Sequence, residues 1–219
     1  MSPLKLFFGG SFDPIHLGHL RSAEQLLTQT KALDLTLLPN ALSPLKARQH
    51  ASAAQRKQLL ELALINHPKL HIDWREVDRG GHSYTNETLQ QLATEYPTNA
   101  IGFVMGLDSF NQLDRWHHWQ NLCDHAHLLV IARPGYPLNI SEALAQWLAP
   151  KHCQQLQQLN QQPTQQRAGK VYFCELEPMA ISSTQIRQML SKGASLAQLE
   201  TKLSPAVAHY IVQHKLYGA

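Results

Sequence analysis

The chain holds only three cysteines, Cys123, Cys153 and Cys174, far apart and without a C-x-x-C pair. An odd, sparse set of this kind argues against a disulfide framework and fits reduced thiols. No apolar run approaches the length needed to cross a bilayer, which argues against a membrane partner. Lysines and arginines are scattered rather than clustered, and the formal net charge is only +3, so a basic surface for nucleic acid is not expected. The first residues lack the basic-then-apolar pattern of an export signal, and a cytoplasmic location is the expectation. At 219 residues and 43% hydrophobic content, a single α/β domain over 1–219 is expected, its helical C-terminal part covering about 181–219.

Short apolar runs alternate with helix-period segments. Leu4–Phe8, Leu35–Leu38, Leu70–Ile72, Ile101–Met105, Leu128–Ala132 and Val171–Cys174 read as buried strands. Helices are expected from Leu17 through Leu27, around Leu59–Leu64, around Leu89–Ala93, and from Ile181 onward. This alternation predicts a doubly wound, mostly parallel, Rossmann-like sheet, with ligands bound past the C-terminal strand ends. Between these elements, Ala41–Ser52 reads as a polar loop and Arg75–His82 as a charged loop. The glutamine-rich stretch 150–168 reads as a solvated loop or irregular helix.

The most informative stretch is LKLFFGGSFDPIHLGHL, Leu4–Leu20. A strand ends at Gly9-Gly10, a turn follows, and a helix begins near Leu17. The N–H groups of such a loop and first helical turn favour a bound phosphate, although the glycines could equally serve only the turn. His16 and His19, three apart, project toward one volume, and an imidazole can donate to a phosphate oxygen. A metal site is the competing reading, but no further Cys, His or carboxylate stands at ligand spacing beside the pair. Gly18 lacks a Cβ, which lets a nucleotide lie against the helix start. A second signal is Ile181-Ser182-Ser183-Thr184-Gln185-Ile186-Arg187. Ser182 and Gln185 form a capping-box pattern, which is compatible with a merely well-capped helix. The same hydroxyls, with Arg187 one turn in, could also hold an anion.

Together, GGSFDPIHLGH and the Ser-Ser-Thr-x-Ile-Arg segment resemble the nucleotidylyltransferase signature, in the version of the bacterial nicotinate-nucleotide adenylyltransferases. The resemblance runs from Leu4 to about Pro137 and from Val171 to Leu190. It implies adenylyl transfer from ATP to nicotinate mononucleotide, giving deamido-NAD and pyrophosphate. It implies catalytic roles for His16, His19 and Arg187. ATP contacts are implied at Gly9, Gly10, Ser11, Phe12, Gly18, Lys46, Gly106, Asp108, Ile181, Ser182, Ser183 and Thr184, besides the catalytic three. Magnesium is expected through the ATP phosphates rather than at a protein metal site. Asn40, Ser83, Tyr84, Thr85, Trp116 and Arg133 match the mononucleotide side. There N–H groups near Tyr84 and Thr85 could hold a carboxylate, and Trp116 could stack on a pyridine ring or simply pack beside Trp119. One departure stands out: where the family usually reads Pro-Pro-His-Lys, this chain has Ser43-Pro44-Leu45-Lys46.

Related adenylyltransferases and aminoacyl-tRNA synthetases share the two-histidine motif. Ser83–Thr85 and Trp116 favour the nicotinate enzyme, and no tRNA-binding domain is evident. A catalytically idle nucleotide-binding protein is the reading from another class, supported only by the altered loop. Sequence does not reveal the oligomeric state.

Overall fold

The computed structural model describes residues 4–45, 49–132, 137–160, 167–177 and 179–219. Its centre is a seven-stranded sheet in the order β3-β2-β1-β4-β5-β7-β6, with all neighbouring strands parallel. The strands are β1 (Leu4–Gly10), β2 (Leu35–Pro39), β3 (Leu70–Ile72), β4 (Ala100–Gly106), β5 (His127–Ile131), β6 (His152–Cys153) and β7 (Val171–Cys174). From β1 the chain winds outward through β2 and β3, then returns to β4 on the other side of β1. The order therefore reverses between β1 and β4, and the crevice at that point is where such sheets bind ligands.

Alternating side chains bury both faces of the sheet. Leu6 and Phe8 of β1, Val104 of β4 and Leu129 of β5 join one core. It is shared with α1 (Leu17–Thr30), α2 (Ala53–Leu64) and the three C-terminal helices named below. Phe7, Phe103, Met105, Leu128 and Val130 join the other. The helices along the chain after α2 are α3 (Arg75–Arg79), α4 (Thr85–Glu95), the short turns α5 (Leu107–Phe110) and α6 (Leu122–His125), α7 (Glu142–Leu148) and α8 (Gln157–Asn160). The closing helices are α9 (Ser183–Ser191), α10 (Leu196–Glu200) and α11 (Pro205–Gln213). Helices on both faces of a parallel sheet give the doubly wound architecture expected. Among the described residues no helix is long and apolar enough to cross a membrane.

The expected elements differ in two of the segments read as loops. Arg75–Arg79 is a helix inside the stretch read as a charged loop; only Glu76 of its residues is buried, so it carries no apolar stripe to betray it. His152–Cys153, inside the stretch 150–168 read as a loop or irregular helix, forms an edge strand paired with Val171 and Tyr172. Gln157–Asn160 is a single helical turn, in keeping with the irregular helix expected there, and residues 161–166 lie outside the described set. Cys123, Cys153 and Cys174 are buried free thiols; burial pushes Cys123 and Cys174 up to about 12, which leaves them inert.

Candidate active site

Two apolar strand ends and two helix tips meet at the sheet's switch point. β1 delivers Gly9 and Gly10 to the crevice, where the ring of Phe103 lies across Gly9. A Cβ there would stand 2.4 Å from Phe103 Cζ, so close approach, not only turn flexibility, requires glycine. Beyond it, Phe12 takes a left-handed φ of 45° and buries its ring to 1% exposure. That ring meets His19 edge-on, with centroids 5.0 Å apart. Phe12 therefore supports the imidazole with its side chain, whatever its backbone contributes to a nucleotide.

His16, the N-cap of α1, and His19 stack with ring centroids 3.6 Å apart. His16 N–H donates to His19 Nδ1 at 3.2 Å, which places the proton of a neutral His19 on Nε2. The first-turn amides are less available than the sequence suggests. Leu17 N–H donates to the Lys202 carbonyl at 2.9 Å, and His19 N–H and Leu20 N–H donate to the His16 carbonyl. The tip of α1 presents imidazoles because backbone carbonyls have taken these three amides. Gly18 also has a different use: a Cβ would come within 3.0 Å of His16 Nδ1, so the space it leaves accommodates the histidine ring.

The tip of α9 faces the same volume. Ser182 Oγ accepts from Gln185 N–H at 3.2 Å, the forward half of the expected capping box. Ser183 Oγ donates to the Pro14 carbonyl at 2.9 Å, and Arg187 Nη1 donates to the Asp13 carbonyl at 2.6 Å. These two bonds clamp α9 to the turn after β1. A cavity of about 470 Å³ lies between the tips. Gly9, Gly10, Ser11, Phe12, His16, Gly18, His19, Gly106, Asp108, Ile181, Ser182, Ser183, Thr184 and Arg187 all line it. Of the five N–H donors of Arg187, one serves Asp13 and one Thr184 Oγ1, so the guanidinium retains donors for an anion.

A second cavity of about 120 Å³ abuts the first, sharing Gly9, Gly10, Ser11 and Ser109. Asn40, Ser83, Tyr84, Thr85 and Trp116 line it, as do Ser43 and Leu45 of the departing loop. Tyr84 is the N-cap of α4 and Thr85 its first residue, so that helix tip borders this smaller space; its Glu87 and Thr88 N–H groups donate to the Tyr84 carbonyl. Lys46 and Arg133 lie outside the described residues.

Several lining residues escape a sequence reading. Asp13, His50, Leu176, Glu177 and Met179 belong to the larger cavity, and Glu76 and His117 to the smaller. Glu76 accepts from Thr88 Oγ1 at 2.7 Å, and burial raises its carboxyl above the usual range. Arg56 does not line either cavity but builds both. Only 1% exposed, it donates to the Ser11 carbonyl at 2.9 Å and to the Asn40 carbonyl at 2.7 Å, tying the ends of β1 and β2. Desolvation lowers its guanidinium from the usual value, against the opposing pull of nearby Asp13. The signal was present: Arg56 stands at helical spacing from Leu59, Leu60 and Ala63, a cation inside an apolar stripe.

Comparisons with known proteins bear on the family and the fold. A cytidylyltransferase-like family model matches residues 7–189. The probable nicotinate-nucleotide adenylyltransferase of Cronobacter sakazakii is 40% identical over 216 residues, covering 98% of this chain and 95% of that protein. The nicotinate-nucleotide adenylyltransferase of Salmonella typhimurium is 38% identical over 219 residues, covering 99% and 100%. Among solved structures, the Plasmodium falciparum nicotinic acid mononucleotide adenylyltransferase complexed with NaAD superposes with a TM-score of 0.75. It is 17% identical, covers 98% of this chain and 97% of that one, and shows likeness of fold.

Proposed function

The chain belongs to the nicotinate-nucleotide adenylyltransferase family of nucleotidyltransferases, and on that premise we propose that it joins ATP and nicotinate mononucleotide into deamido-NAD and pyrophosphate. The observation that carries this reading is the pair of abutting cavities. The larger is lined by two imidazoles and by Arg187; the smaller has a helix tip and an indole. A triphosphate in the first and a pyridine nucleotide in the second would meet at Gly9–Ser11 and Ser109.

The mononucleotide phosphate is already an anionic oxygen nucleophile at neutral pH, so no side chain needs to attack and no covalent enzyme intermediate is required. The protein has to align that oxygen with the α-phosphate and offset charge on the leaving pyrophosphate. His16 and His19 donate to the α-phosphate and the bridging oxygens. Arg187 and the Ser182–Thr184 cap hold the β- and γ-phosphates, with Lys46 the candidate cation from the loop after β2. Gly106, at the end of β4, and Asp108, in α5 just beyond it, face the ribose; a carboxylate there accepts from hydroxyls. In the smaller cavity the α4 amides receive the nicotinate carboxylate and Trp116 stacks on the ring. Amide donors favour the acid because nicotinamide would bring its own N–H groups against them. Arg133 is the candidate for the mononucleotide phosphate.

Magnesium fits as a partner of the triphosphate. Among the described residues no cluster of three ligating side chains exists. Asp13 is committed to three donors, leaving Asp108 and Glu177 as the cavity carboxylates able to face a hydrated ion. Bound there, the ion would neutralise phosphate charge. The buried free cysteines support a reducing, cytoplasmic setting.

The test is pyrophosphate release with ATP, magnesium and either nicotinate or nicotinamide mononucleotide. Release with the acid, much exceeding that with the amide, is expected. No release with either would refute the reading.

A further inference from the structure

The lining of the larger cavity includes a carboxylate with no part in the chemistry above. Asp13, 4% exposed, accepts the N–H groups of His50 at 2.7 Å and Ala51 at 3.1 Å, and the hydroxyl of Tyr217 at 2.8 Å. Its own carbonyl accepts from Arg187 Nη1. One residue thus connects the turn after β1, the segment before α2 and the turn Leu216–Gly218 to the guanidinium on the cavity wall. His50, held by the same carboxylate, lines that cavity too. The positive charge of buried Arg56 offsets Asp13 without displacing any of its donors.

Tyr217 reaches Asp13 from a backbone that L residues avoid. Its φ and ψ of 60° and 20°, and those of Lys215 at 50° and 42°, are left-handed, a conformation that persists where surrounding contacts over-determine it. Burial and the neighbouring carboxylate push its hydroxyl well above the usual tyrosine range, so it remains a donor. The same C-terminal arm takes the Leu17 N–H of the α1 tip through the Lys202 carbonyl.

We infer that Tyr217 is a positioning residue for the triphosphate, acting through Asp13 to fix Arg187 and the His50 segment at the wall of the larger cavity. The inference rests on the adenylyltransferase reading for the identity of the ligand. Tyr217 bonds to Asp13, which lines the larger cavity, so its influence falls first on ATP.

The experiment compares Tyr217→Phe with Tyr210→Phe, a hydroxyl deletion on α11 of the same arm. KM is measured for each substrate, and the affinity for a non-hydrolysable ATP analogue is measured by calorimetry without mononucleotide. For Tyr217→Phe, KM for ATP and the analogue's Kd should rise about ten-fold, the scale of one hydrogen bond to a charged group. KM for the mononucleotide should stay within about two-fold, and Tyr210→Phe should behave as wild type. A lowered melting temperature with both KM values unchanged would overturn the inference, as would a parallel rise in both. If the wild-type protein bound no analogue and released no pyrophosphate, the adenylyltransferase reading would fall, and this inference with it.

Discussion

His16 and His19 lie one ring over the other, their centroids 3.6 Å apart and their planes 21° from parallel. The pair is walled by Phe12 and Phe8, whose rings meet His19 edge-on at 5.0 and 5.9 Å. With 3% and 9% exposure, the two imidazoles have little freedom to reorient, so they are set in place before any ligand arrives. Donors fixed in advance cost no reorganisation when charge develops, which is the condition for strong electrostatic catalysis.

His19→Ala should therefore lower kcat by about 10²–10³, the usual effect of removing one such donor. It also deletes the acceptor for His16 N–H, a capping loss of about 1 kcal/mol. His19→Asn can return an acceptor to that N–H, and should recover the melting temperature without recovering turnover. Both variants should keep the KM for the mononucleotide. Normal turnover in either would remove His19 from the mechanism.

Gly18→Ala separates stability from activity in the opposite direction. Alanine gains about 1 kcal/mol of helix propensity over glycine. Its Cβ, however, would press on His16 Nδ1 and Cε1 at 3.0 and 3.1 Å, and the ring must yield by a few tenths of an ångström. The expected outcome is an unchanged or raised melting temperature with kcat reduced about ten-fold, the scale of effect that small misplacements of a catalytic group produce. A melting scan and a steady-state assay on the same preparation decide it.

Much of this fold is written locally in the chain. β4 and β5 are legible because both of their faces are buried, which demands unbroken apolar runs such as Ile101–Met105. β6 is not, because two residues, His152 and Cys153, are too few to express a period. The site divides in the same way. His16, His19, Ser182 and Arg187 sit in contiguous motifs at helix starts, where sequence spacing translates directly into geometry. Asp13 reads only as a turn former, since its partners His50, Ala51 and Tyr217 are 37, 38 and 204 positions away. Only the folded chain shows what it holds.

At the smaller cavity, Thr85→Pro tests amide recognition with little collateral damage. Thr85 is the first residue of α4, where proline is well tolerated because its missing N–H has no intrahelical partner. Tyr84 before it has φ −103° and ψ 108°, the extended backbone that precedes proline readily. The substitution should raise KM for nicotinate mononucleotide about ten-fold, as for the loss of one hydrogen bond to a carboxylate. Weak turnover of the amide nucleotide should barely change. Equal losses for both would mean that the α4 tip does not choose between them.

Stability should depend on pH through a residue far from the chemistry. His127 of β5 is fully buried; its Nδ1 accepts the Lys170 N–H at 3.2 Å, which puts the proton of the neutral ring on Nε2. A second proton would have to go on Nδ1, where it would break the bond from the Lys170 N–H. Burial, with the positive charge of Lys170 adding to it, lowers the imidazole from 6.5 to about 4. Between those values the unfolded chain binds a proton that the folded chain refuses, so acid favours unfolding. The contribution is complete above pH 6.5, is lost as pH falls, and changes no further below about 4. At 1.36 kcal/mol per unit the window is worth about 3 kcal/mol at most. In His127→Asn the amide oxygen can stand where Nδ1 accepted, without a titrating ring. Urea midpoints measured from pH 7.5 to 4 (roughly the span of an unperturbed and a buried imidazole) should fall more steeply for wild type than for the variant. Parallel curves would assign the acid sensitivity to other groups.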